Sequence, residues 1–500
     1  MHLLSLNDDV LHAIASFLAT RDALRFCATS REIYSLAIRH ALAYVTLDRS
    51  PKHTMEFFEF MLQSDDRPVW LRVLVVTRSA IGHRQVWRVT LGDLLERASN
   101  LRRLSVGLSE HSTTYDVRLP AACVALPDLI KLELWRGGNR VLDMLAKMPP
   151  MSRHLRSLTL ELHDLVPDIP FHRIFGIISQ FPRLETLRID KFGTRIIMPS
   201  PLLTDLRIYN VHTLQLAYGS LPMTLAMQVF PDLQELTFYS IENGSEHQPQ
   251  DIATFGSPQG LKKGGWERLH HIQTSFKGSV GEDLWRVPLS HVRWLDLTSM
   301  AAQRSGDVSC IDAALGSVER TCPRVLSVQS GIVNLRFWEN LPEIAPQLRY
   351  LELDLVPLGV DIHTALESWQ LESSVAHLCA LPILGMLFCI RICDITPDIS
   401  AHAHTTAITI VHALASSNAS IRYIGVSIYG WPSEMNIGGD LPPSHEERRP
   451  ATWWKVVDVG DGSSKKEPRQ LAAGADARLR EYFYGADYES PSVVDGMPIF

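Results

Sequence analysis

A Leu-x-x-Leu-x-Leu pattern recurs along most of this chain. It reads LRVLVV from Leu71, LRRLSV from Leu101, LIKLEL from Leu129, LRSLTL from Leu155, LETLRI from Leu184 and LTDLRI from Leu203. It continues as LQELTF from Leu233, LHHIQT from Leu269, VRWLDL from Val292, LRYLEL from Leu348 and IRYIGV from Ile421, with weaker copies VLSVQS from Val325 and LFCIRI from Leu387. In an extended segment side chains alternate, so the fourth and sixth positions share one buried face while the third, fifth and seventh point away from it. Apolar segments between the strands, such as FHRIFGIISQF at 171–181, are predicted helices. Pro-Asp-Leu or Pro-Arg-Leu opens several strands, at Pro127, Pro182 and Pro231.

Starts from Leu101 onward fall 28, 26, 29, 19 and 30 residues apart. That spacing is close to the 20–29 residues of leucine-rich repeats. A single unit of this kind cannot close its own core, whereas stacked neighbours can. The predicted fold class is therefore α/β, with a solenoid of parallel strands over 69–430 bent into a horseshoe. The Asn or Cys ladder of regular repeats is missing, since Gly137, His163, Phe192 and Ile241 stand in its place. Divergent repeats are the expectation, and an open α/β sheet with alternating strands and helices is the competing reading.

The first 48 residues follow a different period. Asn7 suits a helix cap, and Asp8 and Asp9 favour the positive end of the helix dipole. Val10, Leu11, Ile14, Phe17 and Leu18 follow as one apolar stripe. A second short helix is predicted from Thr20 through Ala23, Leu24 and Cys27. A third, capped by Ser30, carries Ile33, Leu36, Ala37 and Ile38 on its buried side.

The run LSLNDDVLHAIASFLATRDALRFCATSREIYSLA resembles the F-box motif in the form common in fungal proteins. The matching positions are Leu6, Asp8, Asp9, Val10, Leu11, Ile14, Phe17, Leu18, Asp22, Leu24, Ser30 and Arg31. Asn7 stands where the family usually has Pro, and Ala23 intervenes between Asp22 and Leu24. The resemblance implies docking on a Skp-type adaptor, and through it on a cullin, using Leu6, Asn7, Val10, Leu11, Ile14, Phe17, Leu18, Asp22 and Leu24. The alternative is an N-terminal helical cap without a partner. Leucine-rich repeats of divergent spacing are similar to those found behind fungal F-boxes. The whole chain then reads as the substrate-receptor subunit of a Skp-cullin-F-box ubiquitin ligase, with a non-catalytic interaction scaffold as the alternative.

Outward strand positions supply the candidate client surface. They include Lys131, Glu133 and Trp135; Thr186, Arg188 and Asp190; Asp205, Arg207 and Tyr209; Glu235, Thr237 and Tyr239; Trp294 and Asp296; Tyr350, Glu352 and Asp354; and Tyr423. Trp135, Arg188, Arg207, Tyr209, Tyr239, Trp294, Tyr350 and Tyr423 lead this set, because aromatics and arginines dominate protein-protein hot spots. Ordinary cross-strand pairing on a solvated face is the other reading of each one.

Boundaries follow from these patterns: 1–48 helical, 49–68 a linker, 69–430 repeats, and 431–500 an irregular region. Within the last, TWWKVVDV suits a final strand, 432–450 and 460–470 read as loops, and ARLREYFYG at 477–485 suits a helix folded back as a cap.

Composition narrows the function classes. Hydrophobic residues make up 46% and charged residues 21%, as in a globular chain. Forty-eight Lys+Arg against 55 Asp+Glu gives a charge of -7, which gives no support to nucleic-acid binding. Seven Cys in 500 residues suit reduced thiols in the cytoplasm or nucleus. No basic segment precedes the first apolar run, and Asp8 and Asp9 interrupt it, so no secretory signal is expected. The apolar stretch Leu378 to Ile390 would reach about 20 Å as a helix, short of a bilayer core of about 30 Å. A buried strand is the expectation there, and no membrane partner.

No nucleophile elbow, phosphate loop, zinc-protease helix or dinucleotide fingerprint occurs. Cys389, Cys393, His402 and His404 are the best metal candidates, but two cysteines four apart on a strand lie about 13 Å from each other, too far for one zinc. No catalytic residue, metal or cofactor is therefore expected. Asn243 and Asn418 begin glycosylation-type triplets, which matter only in a secreted chain.

Overall fold

Most of the Leu-x-x-Leu-x-Leu segments form parallel strands, and the first, fourth and sixth residues of these segments are buried. A computed structural model describes residues 6–81, 87–108, 118–148, 153–162, 171–191, 206–217, 223–239, 266–275, 289, 292–298, 308–330, 335–355, 377–378, 380–393, 397–418, 420–431, 451–459, 466–472 and 474–485. It divides into two units, Met1–Leu233 and Gln234–Phe500.

The first unit opens with α1 (Asp8–Phe17), α2 (Thr20–Cys27) and α3 (Arg31–Ala43). Seven strands follow: β1 (Tyr44–Leu47), β2 (Val73–Val76), β3 (Arg103–Gly107), β4 (Lys131–Gly137), β5 (Ser157–Leu162), β6 (Thr186–Asp190) and β7 (Thr213–Ala217). Each pairs in parallel with the next in chain order. The register repeats, with Arg103 beside Lys131, Lys131 beside Ser157 and Ser157 beside Thr186. Leu101, Leu104 and Val106 are fully buried, as are Leu129, Leu132 and Leu134 in the next repeat. Each such side chain stabilises the core by about 1.5–3 kcal/mol. Helices connect the strands, and Phe175 on one of them meets Phe230 edge to face at 5.4 Å.

The second unit continues the same logic. β8 (Glu235–Tyr239), β9 (His271–Ser275), β10 (Trp294–Thr298), β11 (Val325–Ser330), β12 (Tyr350–Leu355), β13 (Gly385–Cys393) and β14 (Tyr423–Trp431) are successive parallel neighbours. β15 (Thr452–Asp458) and β16 (Lys466–Gln470) then add on antiparallel, and the helix Ala475–Tyr484 ends the described chain.

Several sequence expectations change. The segment LTDLRI is not a strand over its described residues. Strand β7 instead comes from VHTLQL, with Val211, Leu214 and Leu216 buried. Ile208 N–H is bonded to the Val229 carbonyl at 2.7 Å and not to a neighbouring strand. The expected linker 49–68 is mostly helix: Pro51–Leu62 is capped by the Ser50 hydroxyl on His53 N–H, and Phe58 and Met61 are buried. The ladder also begins before residue 69, since β1 follows α3 without a break. The frame at β13 starts at Ile383, with Met386 and Phe388 inward, not at Leu387. Within 460–470, expected as a loop, Lys466–Gln470 is β16, whereas 432–450 lies outside the described residues.

The stretch Leu378 to Ile390 carries a buried strand, as its apolar run predicts. Among the described residues no helix is long and apolar enough to cross a membrane, and no group of His, Cys, Asp and Glu could hold a metal ion. Cys389 and Cys393 both lie on β13. Asn243 lies outside the described residues. Asn418 is buried, giving its amide to the Leu378 and Leu381 carbonyls and accepting from Ser420 and Ile421 N–H. Its side chain is an internal tie, not a glycan acceptor.

Candidate protein-interaction surfaces

The N-terminal helices divide their apolar residues between core and surface. The Asn7 side chain accepts from Val10 N–H at 2.9 Å, and the Ser30 hydroxyl from Ile33 N–H at 3.2 Å, so both predicted caps form. α1 and α2 both pack against α3. Leu11, Ala15, Ala23 and Cys27 face that junction with Ile33, Ala37 and Ile38. Leu11, expected among the adaptor-facing residues, is therefore buried in the helix core. Leu6, Ile14 and Leu18 are half-buried, whereas Val10 is 42%, Leu24 49% and Phe17 90% exposed. Asn7 and Asp22 are exposed; Asp22 is 3.2 Å from Arg25. Tyr34 on α3, 40% exposed, joins this outer set and was not legible from the α1 stripe.

An almost fully exposed Phe is the unusual feature. Transfer of that ring out of water would be favourable by about 1.5–3 kcal/mol, and the described residues leave it 90% exposed. Burial raises the Cys27 thiol above its ordinary pKa and pushes Cys123 up to about 12, so both are held as uncharged thiols packed among apolar neighbours.

The strand face of the first unit, opposite its leucine core, is polar and charged. Glu133 lies 2.9 Å from Lys131 and 3.1 Å from Arg103, and accepts from the Ser105 hydroxyl. Burial works to raise its carboxyl, but the serine and the two cations outweigh that and hold it below the ordinary glutamate value. Farther along, Arg78 and Lys191 both reach Glu161, while Arg188 grips Asp190 at 2.8 Å. Asp190 goes the other way: burial raises its carboxyl more than Arg188 lowers it. Trp135 and Arg188, both half-buried, stand on this face as expected. Arg207 and Tyr209 are exposed but sit outside any strand, because LTDLRI does not join the ladder.

The strand face of the second unit is covered by the chain itself. Tyr350 and Tyr423 were expected to be open, yet they are 0% and 4% exposed. They lie under the helix Ala475–Tyr484, whose Phe483 ring stacks on Tyr350 at 4.4 Å and meets Tyr423 edge to face at 6.2 Å. Trp294 is sandwiched between His271 at 3.7 Å and Tyr484 at 4.4 Å. The expectation of a helix after residue 477 holds, but it covers strand positions expected to face clients. Those three residues therefore form a second core and not an open client surface. The side chain of Tyr239 lies outside the described residues.

No family model and no curated protein matches this chain. Among solved structures, a chain titled "Crystal structure of TLR13-ssRNA13 complex" is similar at 12% identity with a TM-score of 0.31. The match covers 72% of this chain and 44% of that one, so it spans less than half the length of its counterpart.

Proposed function

We propose that this chain is the substrate-receptor subunit of a Skp-cullin-F-box type ubiquitin ligase. The reading is carried by one observation: Phe17, at a position shared with the F-box pattern, is 90% exposed, with Val10 and Leu24 also exposed on α1 and α2. A shared adaptor would bury Phe17 together with Val10 and Leu24, with Ile14 and Leu18 at the edge. An apolar helix face seated in a partner groove is an established recognition mode. The chain contributes no catalytic group in this scheme. It acts by proximity, holding a client near a partner-borne ubiquitin-conjugating enzyme so that the transfer proceeds at high effective concentration.

The client surface in this reading is the strand face of the first unit, centred on Trp135 and Arg188. Its ion pairs fix side chains that would otherwise lose entropy on binding, which favours tight recognition of a polar protein surface. A cytoplasmic or nuclear setting suits the sparse thiols, none of which is paired in a disulfide among the described residues.

Affinity capture from cells tests the proposal. The wild-type chain is expected to retain a Skp-type adaptor and a cullin, and Phe17→Asp to lose both while keeping any client. Retention of the adaptor without a cullin would favour the alternative, an interaction scaffold that promotes no ubiquitin transfer. Retention of neither by the wild type would overturn the proposal.

A further inference from the structure

In the first unit the third strand positions run Tyr44, Val73, Arg103, Lys131, Ser157, Thr186 and Thr213. In the second they run Glu235, His271, Trp294, Val325, Tyr350, Gly385 and Tyr423, so that its later strands place a glycine between two tyrosines. A Cβ at Gly385 would overlap the Phe483 ring, coming within 2.7 Å of its two Cε atoms. The missing side chain is thus a notch, and a phenylalanine ring fills it.

The occupying helix is built to match. Ala475, Leu479 and Phe483 are spaced four apart and all three are buried, forming one narrow stripe. Tyr484 adds a second ring against Trp294, and its hydroxyl donates to the fully buried Glu352. Gly474, with φ +90, turns the chain from β16 into this helix. A ten-residue helix is marginal on its own in water, so its order comes from the face it sits on.

We propose that the strand face of the second unit is a receptor slot for a short helix ending in an adjacent Phe-Tyr pair, and that Ala475–Tyr484 is its tethered resident. A client helix of the same chemistry, an Ala/Leu stripe followed by two aromatic residues, gains the slot by displacing the tail. The tether gives the resident helix an effective concentration of about a millimolar, so an incoming helix binds the intact chain weakly. This rests on reading the repeats as a protein-binding surface, and it gives the second unit a gated slot of its own, separate from the candidate client face of the first.

The test uses the full chain with a protease site inserted just before Gly474, cut after folding and passed through gel filtration. A fluorescent peptide with the sequence of residues 474–485 is then titrated by anisotropy against cut and uncut protein. The peptide is expected to bind the cut chain at least about tenfold more tightly than the uncut one. A peptide carrying Phe483→Ala and Tyr484→Ala is expected to lose at least about tenfold. The uncut variant Phe483→Ala is expected to bind the wild-type peptide more tightly than the uncut wild type does. Equal binding to cut and uncut chains, failure of the peptide to enter the cut chain, or unfolding of the cut chain by circular dichroism would each overturn the proposal. Adaptor capture, read on the same samples, is expected to be unchanged by cutting. Its loss with peptide binding intact would count against the ligase reading and leave the slot standing.

Discussion

The ring of Phe483 fills the space that a side chain on Gly385 would occupy, although the two residues are almost a hundred positions apart in the chain. Gly385→Ala is therefore expected to push the ring out of its stack on Tyr350. Phe483→Ala should cost about 3–5 kcal/mol, the range for emptying a buried aromatic site. Combining the two should cost less than their sum, since the alanine methyl then enters vacated space. Urea unfolding of the two single variants and the double variant measures that coupling.

Leu11 and Phe17 lie on one helix with opposite fates. Leu11→Ala is expected to destabilise the chain by about 2–5 kcal/mol because it opens a core cavity. Phe17→Ala should stay within about 0.5 kcal/mol of wild type. Thermal unfolding of both variants checks the assignment of one to the core and the other to the surface.

Glu133 carries a depressed carboxyl pKa, with burial opposed by Ser105, Lys131 and Arg103. Its unfolded form binds a proton more readily than its folded form. Its contribution to stability is complete above the ordinary glutamate pKa, about 4.3, and is lost as pH falls through the lower folded value. Glu133→Gln is expected to reduce the fall in stability between pH 6 and pH 3. Equilibrium unfolding across that range would show an unchanged slope if the carboxylate were not held this way.

Asn418 bonds four backbone groups from one buried side chain. Asn418→Ala should cost about 2–3 kcal/mol by stranding buried donors and acceptors. Asn418→Asp should fail to restore the wild-type melting point, because a carboxylate cannot donate to the Leu378 and Leu381 carbonyls. Calorimetric melting of the pair is the measurement.

Alternation made the strands legible, because burial of the fourth and sixth positions is a local requirement that each segment meets alone. It failed where two frames competed: LTDLRI and VHTLQL both carry aliphatic residues at the first, fourth and sixth positions, and the second pairs with β6 while Ile208 N–H bonds to the Val229 carbonyl. β1 was hidden because Leu42, Val45 and Leu47 continue the apolar run of α3, so a helical unit and the first repeat share a boundary with no linker. The same continuity means that deleting residues 1–47 would remove a strand as well as the helices. The outward direction of Tyr350 and Tyr423 was also readable, but not their burial. Which face a side chain takes is set by its neighbours on the strand, whereas the Phe483 ring that covers it arrives from far along the chain. Phe17 was identified through the F-box pattern, and only the packing of α1 on α3 separates it from Leu11.

Isothermal titration of the purified chain with a purified Skp-type adaptor bears most directly on the central claim, with Phe17→Asp as the comparison because it changes the surface and leaves the helix core intact. The account requires measurable wild-type binding that weakens at least about thirtyfold in the variant, with an unchanged melting temperature. Absence of wild-type binding, or equal affinity for both proteins, would contradict it.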